Sequence, residues 1–230
     1  MSKHQAFWNK EYKTAEHLAL SDEPSEDLEK FIRFLERQEG RRSLNVTCRA
    51  LDLGCGNGRN LILLGRYGMR GTGYDISDEA VKLARKNSGD LPLEYEARSI
   101  VGKFDKIPDA SQTIVLDMMT SHFLNKAERA QLKAEVLRVL KPGGWYFFKT
   151  FLADDDQHVT RLLRDAPGAE EGTYIHPRMG VPEFVYSEAG IYEFFEPDFI
   201  IQKVDRSHKH IKDGHAYKRR TITVYLQKAY

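Results

Sequence analysis

The segment Leu51-Asp52-Leu53-Gly54-Cys55-Gly56-Asn57-Gly58 sets three glycines at alternate positions just after an acid. An apolar run precedes it and a helical pattern follows, so it falls at a strand-to-helix turn. Backbone amides and a helix N-terminus at such a turn are free to meet a polar ligand. Glycine lets the chain turn tightly and lets a ligand approach the backbone. Nineteen residues past Gly56 stands Asp75, at the end of a second strand-like run. A carboxylate there can accept hydrogen bonds from both hydroxyls of a ribose. The glycines alone also describe a structural turn with a surface acid. Together with an acid at this spacing, in a strand-helix-strand setting, they describe a nucleoside site. A dinucleotide dehydrogenase would show G-x-G-x-x-G, whereas Gly58-Arg59-Asn60 follows Asn57 here.

Alternating strands and helices must position these residues. A helix is expected where Leu28, Phe31, Ile32 and Leu35 share a face, capped by Ser25 and ended by Gly40. Strands are expected at 46–53, 71–76, 93–98, 113–116 and 145–151, with helices after the first, second and fourth. Asn125 with Glu128 reads as a capping box, and Lys141-Pro142-Gly143-Gly144 as a turn. Segments 199–204 and 221–226 are joined without a helix pattern, so they form an antiparallel hairpin. The expected fold is α/β and doubly wound: a mostly parallel seven-stranded sheet with a C-terminal antiparallel hairpin. Residues 1–40 read as an N-terminal helical cap, and 41–230 as the α/β domain. A long irregular insertion at about 154–182 is the kind of segment that serves as a lid or binding loop.

Composition excludes several classes. The chain has 230 residues, 41% hydrophobic and 30% charged, which is an ordinary globular mix. Lysine and arginine number 35 against 34 acids, a net charge of +1, so overall charge does not call for nucleic acid. No apolar run reaches the ~18 residues of a spanning helix, and residues 1–10 lack an apolar signal core. Cys48 and Cys55, the only two cysteines, would sit ~20 Å apart along a strand, too far to pair. A reduced cytoplasmic protein without a membrane partner, monomeric or homodimeric, is the expectation. His208-x-His210 lacks a third ligand, so no metal is expected.

The motifs resemble those of Rossmann-like (class I, type 11-like) S-adenosylmethionine-dependent methyltransferases. The likeness covers about 8–150 plus the C-terminal hairpin. It rests on Asp52 to Gly58, on Tyr74-Asp75-Ile76-Ser77, on the strand ending at Asp117, and on Leu140-Lys141-Pro142-Gly143-Gly144. The resemblance implies S-adenosyl-L-methionine as cofactor and S-adenosyl-L-homocysteine as product. It implies that Gly54 and Gly56 line the methionine moiety, and that Cys55 and Asn57 of the same turn belong to the cofactor site. Asp52 would hold the ammonium group, helped by the backbone at Asp117. Asp75 would hold the ribose, and Ile76 would pack on adenine. The family's Gly-Asp-Ala after the third strand is Arg98-Ser99-Ile100 here, which leaves Ser99 a neutral contact and the Ile100 amide the ring nitrogen.

Acceptor residues follow from position. His122, just past the fourth strand, is either a general base, with turnover falling below pH ~6.5, or a hydrogen-bonding core histidine. Tyr174, His176 and Arg178 in the insertion suit a polar or anionic acceptor, Arg178 as a fork, or else form a solvated loop. Phe7, Trp8 and Tyr12 form a lid over the cofactor or an anchoring flap. The leading reading is methyl transfer to a small molecule. RNA or protein methylation using the basic run 206–220 is the alternative, as is a non-catalytic S-adenosylmethionine-binding module.

Overall fold

In the computed structural model, residues 3–15, 20–40, 43–208, 211–212, 215–216 and 218–230 are described. Two helices come first, α1 (Lys3–Thr14) and α2 (Glu26–Glu39). The alternating part follows as β1 (Arg49–Leu53), α3 (Arg59–Arg66), β2 (Arg70–Asp75), α4 (Asp78–Ser88), β3 (Leu93–Ala97), β4 (Gln112–Met118), α5 (Lys126–Val139) and β5 (Leu140–Phe151). A 3-10 turn (Ser121–Phe123) separates β4 from α5. Next come α6 (Gln157–Asp165), β6 (Thr173–Ile175), β7 (Pro182–Phe184), α7 (Glu188–Phe195) and β8 (Ile200–Arg206). The short β9 (Ile211–Lys212) and β10 (His215–Ala216) precede β11 (Thr221–Gln227).

The main sheet has seven strands in the order β3-β2-β1-β4-β5-β11-β8. β1 to β5 run parallel, while β11 is antiparallel to both β5 and β8. This is the expected doubly wound sheet with its C-terminal hairpin. Its middle strands are apolar on both faces because helices cover both. Leu51, Val115, Tyr146 and Phe148 pack beneath α5 and α7. Ala50, Ile114, Leu116 and Phe147 pack beneath α2, α3 and α4. Phe31 of α2 is fully buried, with ring centroids 4.8 Å from Tyr225 and 5.1 Å from Phe147. α2 is therefore a layer packed on the sheet.

Local chemistry explains the element ends. Ser77 Oγ accepts from the Ala80 amide, and Asn125 with Glu128 closes a full capping box. Ser25 sits at the N-cap of α2, but its side chain makes no capping bond; its amide donates to Asn60 Oδ1 at 3.0 Å. Three other expectations are corrected. Phe7, Trp8 and Tyr12 lie on α1, a helix ahead of the first one expected. The irregular insertion contains the β6–β7 hairpin. Lys141 to Gly144 is the opening of β5 rather than a free turn. The Gly143 amide donates to the Lys228 carbonyl and the Lys228 amide to the Gly144 carbonyl, so residues distant in sequence extend the strand.

That opening is tight. A Cβ on Gly144 would come within 2.8 Å of the Lys141 carbonyl oxygen and 3.1 Å of that of Gln112. Both are backbone atoms inside the sheet and cannot rotate aside. Gly144→Ala is expected to destabilise the fold by ~1–3 kcal/mol, as overpacking does. Urea denaturation measures it, and an unchanged midpoint would mean that the strand opening yields.

Candidate functional site

The glycine turn, the end of β2 and the segment after β4 meet at the carboxyl edge of the parallel strands. They enclose a cleft of ≈ 280 Å³. Gly54, Cys55, Gly56, Asn57, Asp75, Ile76, Ser99 and Ile100 all line it, so eight residues singled out in the sequence come together. Gly54 and Gly56 have φ of 76° and 57°, a region that favours glycine. A Cβ on Gly56 would stand 2.5 Å from the Tyr12 hydroxyl, and one on Gly54 would strike Thr120.

Most of the turn's amides serve the fold. Gly54 and Cys55 donate to the Tyr74 carbonyl at 2.7 and 2.9 Å, and Gly58 to that of Cys55. The Gly56 amide donates to Asp75 Oδ2 at 2.9 Å, while Asp75 Oδ1 accepts from the Ser77 amide at 2.8 Å. These four amides are therefore spent on holding the turn against β2 and closing it, rather than standing free as expected. Asn57 also turns away from the ligand side. Its Nδ2 donates to the Ser21 carbonyl and to Asp22 Oδ1, both at 3.0 Å, pinning the chain ahead of α2 to the cleft rim.

Asp52 and Asp117 stand behind the lining, both buried. Asp117 Oδ1 accepts from the Ser121 amide and Oδ2 from the Tyr146 hydroxyl. Asp52 Oδ2 is shielded from water and has no hydrogen-bond partner. Burial, and then the charges of Asp75 and Asp117, push the Asp52 carboxyl up to about 7. Burial also raises Asp75, against the amide bonds of Ser77, Gly56 and Ile76, and raises Asp117 in the same way. Three clustered acids, one with an unpaired oxygen, form a site that a cationic ligand would relieve.

The roof was legible only as a lid. Trp8, Tyr12 and His4 of α1 line the cleft from above. Asn9 Oδ1 anchors the helix by accepting from Ser77 Oγ at 2.7 Å. Burial, then Asp75 and Cys55, drives the Tyr12 hydroxyl far above its ordinary value, so it stays neutral. Met118, Met119, Thr120, Phe123 and Leu124 complete the wall. Thr120 carried no sequence signal, because only the meeting of two loops brings it onto Gly54.

The acceptor residues fare differently. His122 does not line the cleft. It is 2% exposed, packed on Phe123 at 4.1 Å and Phe151 at 5.2 Å between ring centroids. Burial, against the pull of Glu183, lowers it to about 4, so it is neutral at pH 7 and a limb near pH ~6.5 is not expected from its own titration. Tyr174 is wholly buried, its hydroxyl donating to Glu183. His176 Nδ1 accepts from the Arg178 and Met179 amides, closing a turn that leaves Arg178 exposed. The Arg178 fork expected in the pocket thus faces outward. His210 and part of the 206–220 run lie outside the described residues, and among those described no helix is long and apolar enough to cross a membrane.

Asp52 yields a stability test. Its folded value lies above its unfolded one, so the folded state binds the proton more tightly and loses stability as pH rises from about 4 to about 7. Asp52→Asn removes that penalty. Its denaturation midpoint should exceed wild type at pH 8, by as much as ~4 kcal/mol, with the gap closing near pH 4. A gap independent of pH would show that Asp52 is not carried as a strained buried acid.

Residues 51–148 match the family model described as "Methyltransferase domain". The chain is 31% identical over 133 residues to a ubiquinone biosynthesis O-methyltransferase of Paracidovorax citrulli, covering 56% of this chain and 53% of that protein. It is 34% identical over 170 residues to the S-adenosyl-L-methionine-dependent Diels-Alderase iccD of Talaromyces variabilis, covering 70% and 55%. The chain thus spans about half the length of these relatives. In fold it resembles the Burkholderia thailandensis 1,6-didemethyltoxoflavin-N1-methyltransferase, solved with its substrate and S-adenosylhomocysteine. The TM-score is 0.70 at 15% identity, covering 99% of this chain and 88% of that one. With the glycine turn, the Asp75 carboxylate and the β3-β2-β1-β4-β5-β11-β8 sheet, these matches place residues 51–148 in the methyltransferase-domain family and give the chain the Rossmann-like methyltransferase fold.

Proposed function

We propose that this chain transfers a methyl group from S-adenosylmethionine to a small-molecule acceptor. The observation that carries the reading is the unpaired, buried Asp52 oxygen among three acids beside a glycine cradle. A ligand bearing an ammonium and a sulfonium supplies the missing positive charge, and a ribose suits Asp75 at the end of β2. In this assignment Asp75 accepts from the ribose hydroxyls, Asp52 faces the ammonium, and Ile76, Ser99 and Ile100 border the adenine. Asp117 holds the turn after β4 through Ser121, so that Met118 to Thr120 can form the cleft wall.

Bound S-adenosylmethionine supplies an already activated methyl group. The protein's part is alignment, which is worth up to ~7–11 kcal/mol of the barrier. Trp8, Tyr12 and Phe123 line the cleft, and in this reading their rings keep water from the reacting atoms. We assign His122 a hydrogen-bonding role in its neutral form rather than proton abstraction.

Two observations favour a small acceptor over RNA. Among the described residues, His4, Trp8 and Tyr12 of α1 lie over the cleft and narrow the approach to the cradle. The arginines described in the basic run are also internally paired: Arg206 with Glu188, Arg219 with Glu183, and Arg220 with Asp155. A backbone-binding surface needs cations that reach phosphate. Methyl transfer from labelled cofactor across metabolite and RNA pools distinguishes the readings, and label appearing only in RNA would overturn ours.

Asp75→Ala should weaken S-adenosylhomocysteine binding roughly ten- to a hundred-fold by calorimetry, since bonds to a charged acceptor contribute ~1.5–3 kcal/mol. Unchanged affinity would remove Asp75 from the ribose. Asp52 adds a pH dependence. Below about 7 it is protonated in the free protein, and an ammonium partner requires it ionised. Affinity should therefore drop with falling pH, approaching tenfold per unit below 7, with proton release on binding. A flat profile from pH 8 to 5.5 would separate Asp52 from the ammonium.

A further inference from the structure

Among the described residues that line the cleft, Arg59 is the one lysine or arginine. It is the first residue of α3, directly after the left-handed Gly58, and it is half-buried. Its Nη1 donates to the Glu23 carbonyl at 3.2 Å, which fixes the side chain against the segment that crosses the cleft rim. Asn57 holds the same segment at Ser21 and Asp22, and Asn60 holds it at the Ser25 amide. Among the described residues Arg59 pairs with no carboxylate, so most of its N–H groups are uncommitted.

The charges around it say what those groups are for. Asp52, Asp75 and Asp117 make the base of the cleft negative, which suits an ammonium and a sulfonium but repels a carboxylate. The amino-acid end of the cofactor carries an ammonium and a carboxylate on one carbon. Its carboxylate therefore needs a cation or several hydrogen-bond donors close by. The amides of Gly54, Cys55, Gly56 and Gly58 are bonded within the fold. A guanidinium tied down through one nitrogen still has donors enough for a two-oxygen acceptor, and its planar fork matches that shape.

The field of Arg59 reaches the right end of the cleft. Burial, Asp75 and Asp117 raise the Asp52 carboxyl, and Arg59 is the group that opposes them. Burial, Asp75 and Cys55 raise the Tyr12 hydroxyl above Gly56, and Arg59 opposes them there as well. At Asp75 burial is opposed by the backbone amides of Ser77, Gly56 and Ile76 instead. The positive charge thus acts beside Asp52 and over the glycine turn, rather than at the acid assigned to the ribose.

We propose that Arg59 reads the carboxylate of the cofactor's amino-acid end while Asp52 faces its ammonium, so that the cleft selects the zwitterion over the same nucleoside lacking the carboxylate. This rests on the methyltransferase reading above and adds to it the residue that sets specificity at that end. Held at both charges, the amino-acid end cannot swing, and the sulfonium is placed from a fixed point. The contact with Glu23 makes the rim segment part of the same anchor.

Calorimetry on the full chain at pH 8, where Asp52 is ionised, tests this with two ligands. One is S-adenosylhomocysteine; the other is S-adenosyl-3-thiopropylamine, the same molecule without its carboxylate. The wild type should prefer the first by about ten- to a hundred-fold, the range for hydrogen bonds to a charged partner. Arg59→Gln should weaken S-adenosylhomocysteine by about that factor. It should bind the amine at least as tightly as the wild type does, because a like charge is gone. Arg59→Lys keeps the charge without the fork and should fall between; it carries the test should the glutamine variant not fold. Equal affinities in the wild type, an equal loss for both ligands, or an unchanged preference in the variants would overturn the proposal. Failure of the wild type to bind S-adenosylhomocysteine at all removes the methyltransferase reading with it, whereas binding without the preference removes this proposal alone.

Discussion

The Asp75 carboxylate joins the two pieces of chain on which the cleft depends. One oxygen takes the Gly56 amide, the other the Ser77 amide at the start of α4. The same side chain thus fixes the glycine turn against the end of β2 and sets where α4 begins. Because both amides are already held, the carboxylate keeps its position as a ligand arrives, and its remaining lone pairs are available for hydroxyl donors. Ser77 Oγ in turn donates to Asn9 on α1, so the floor and the roof of the cleft share one short hydrogen-bonded path.

Around that fixed point the protein accumulates negative charge. Asp52, Asp75 and Asp117 are all buried, and burial lifts each above its ordinary range. An isolated protein bears this as a loss of stability, the form in which binding sites commonly store the affinity they later express. Asp117 is satisfied within the fold by Ser121 and Tyr146, and Asp75 by backbone amides, which leaves Asp52 as the unbalanced member. Among the three acids, the cleft is complementary to a cation at Asp52, whose Oδ2 alone lacks a partner.

A second buried cluster at the same end of the sheet follows the opposite logic. Glu183 and Arg219 neutralise each other, Tyr174 braces the pair, and burial keeps His122 uncharged. The insertion that carries Glu183 is tied back to α5, where Arg129 lies 3.6 Å from the Phe184 ring centroid and pairs with Glu170. The β6–β7 segment is therefore packed against the sheet domain.

Much of this was legible in the chain itself. The alternation of apolar runs and helical faces determines the sheet, because a strand covered on both sides must be apolar on both. The turn Gly54-Cys55-Gly56-Asn57-Gly58 and Asp75 mark the cleft, because positive φ and a carboxylate at a strand end are local requirements that few residue types meet. The capping box at Asn125 is local for the same reason. What the tertiary structure decided is every feature that depends on which distant residues meet. Lys228 converts an apparent turn at Gly143 into strand. Thr120 comes to rest on Gly54, and Tyr12 reaches over Gly56. The outward Arg178 and the inward Arg219 are indistinguishable as letters. Only the register of β11 against β5, which lays Thr221 beside Phe151, brings the second of them over the ring and into reach of Glu183. Periodicity and spacing report on forces acting within one segment. Burial, charge balance and unpaired donors arise from segments that the sequence holds tens of residues apart.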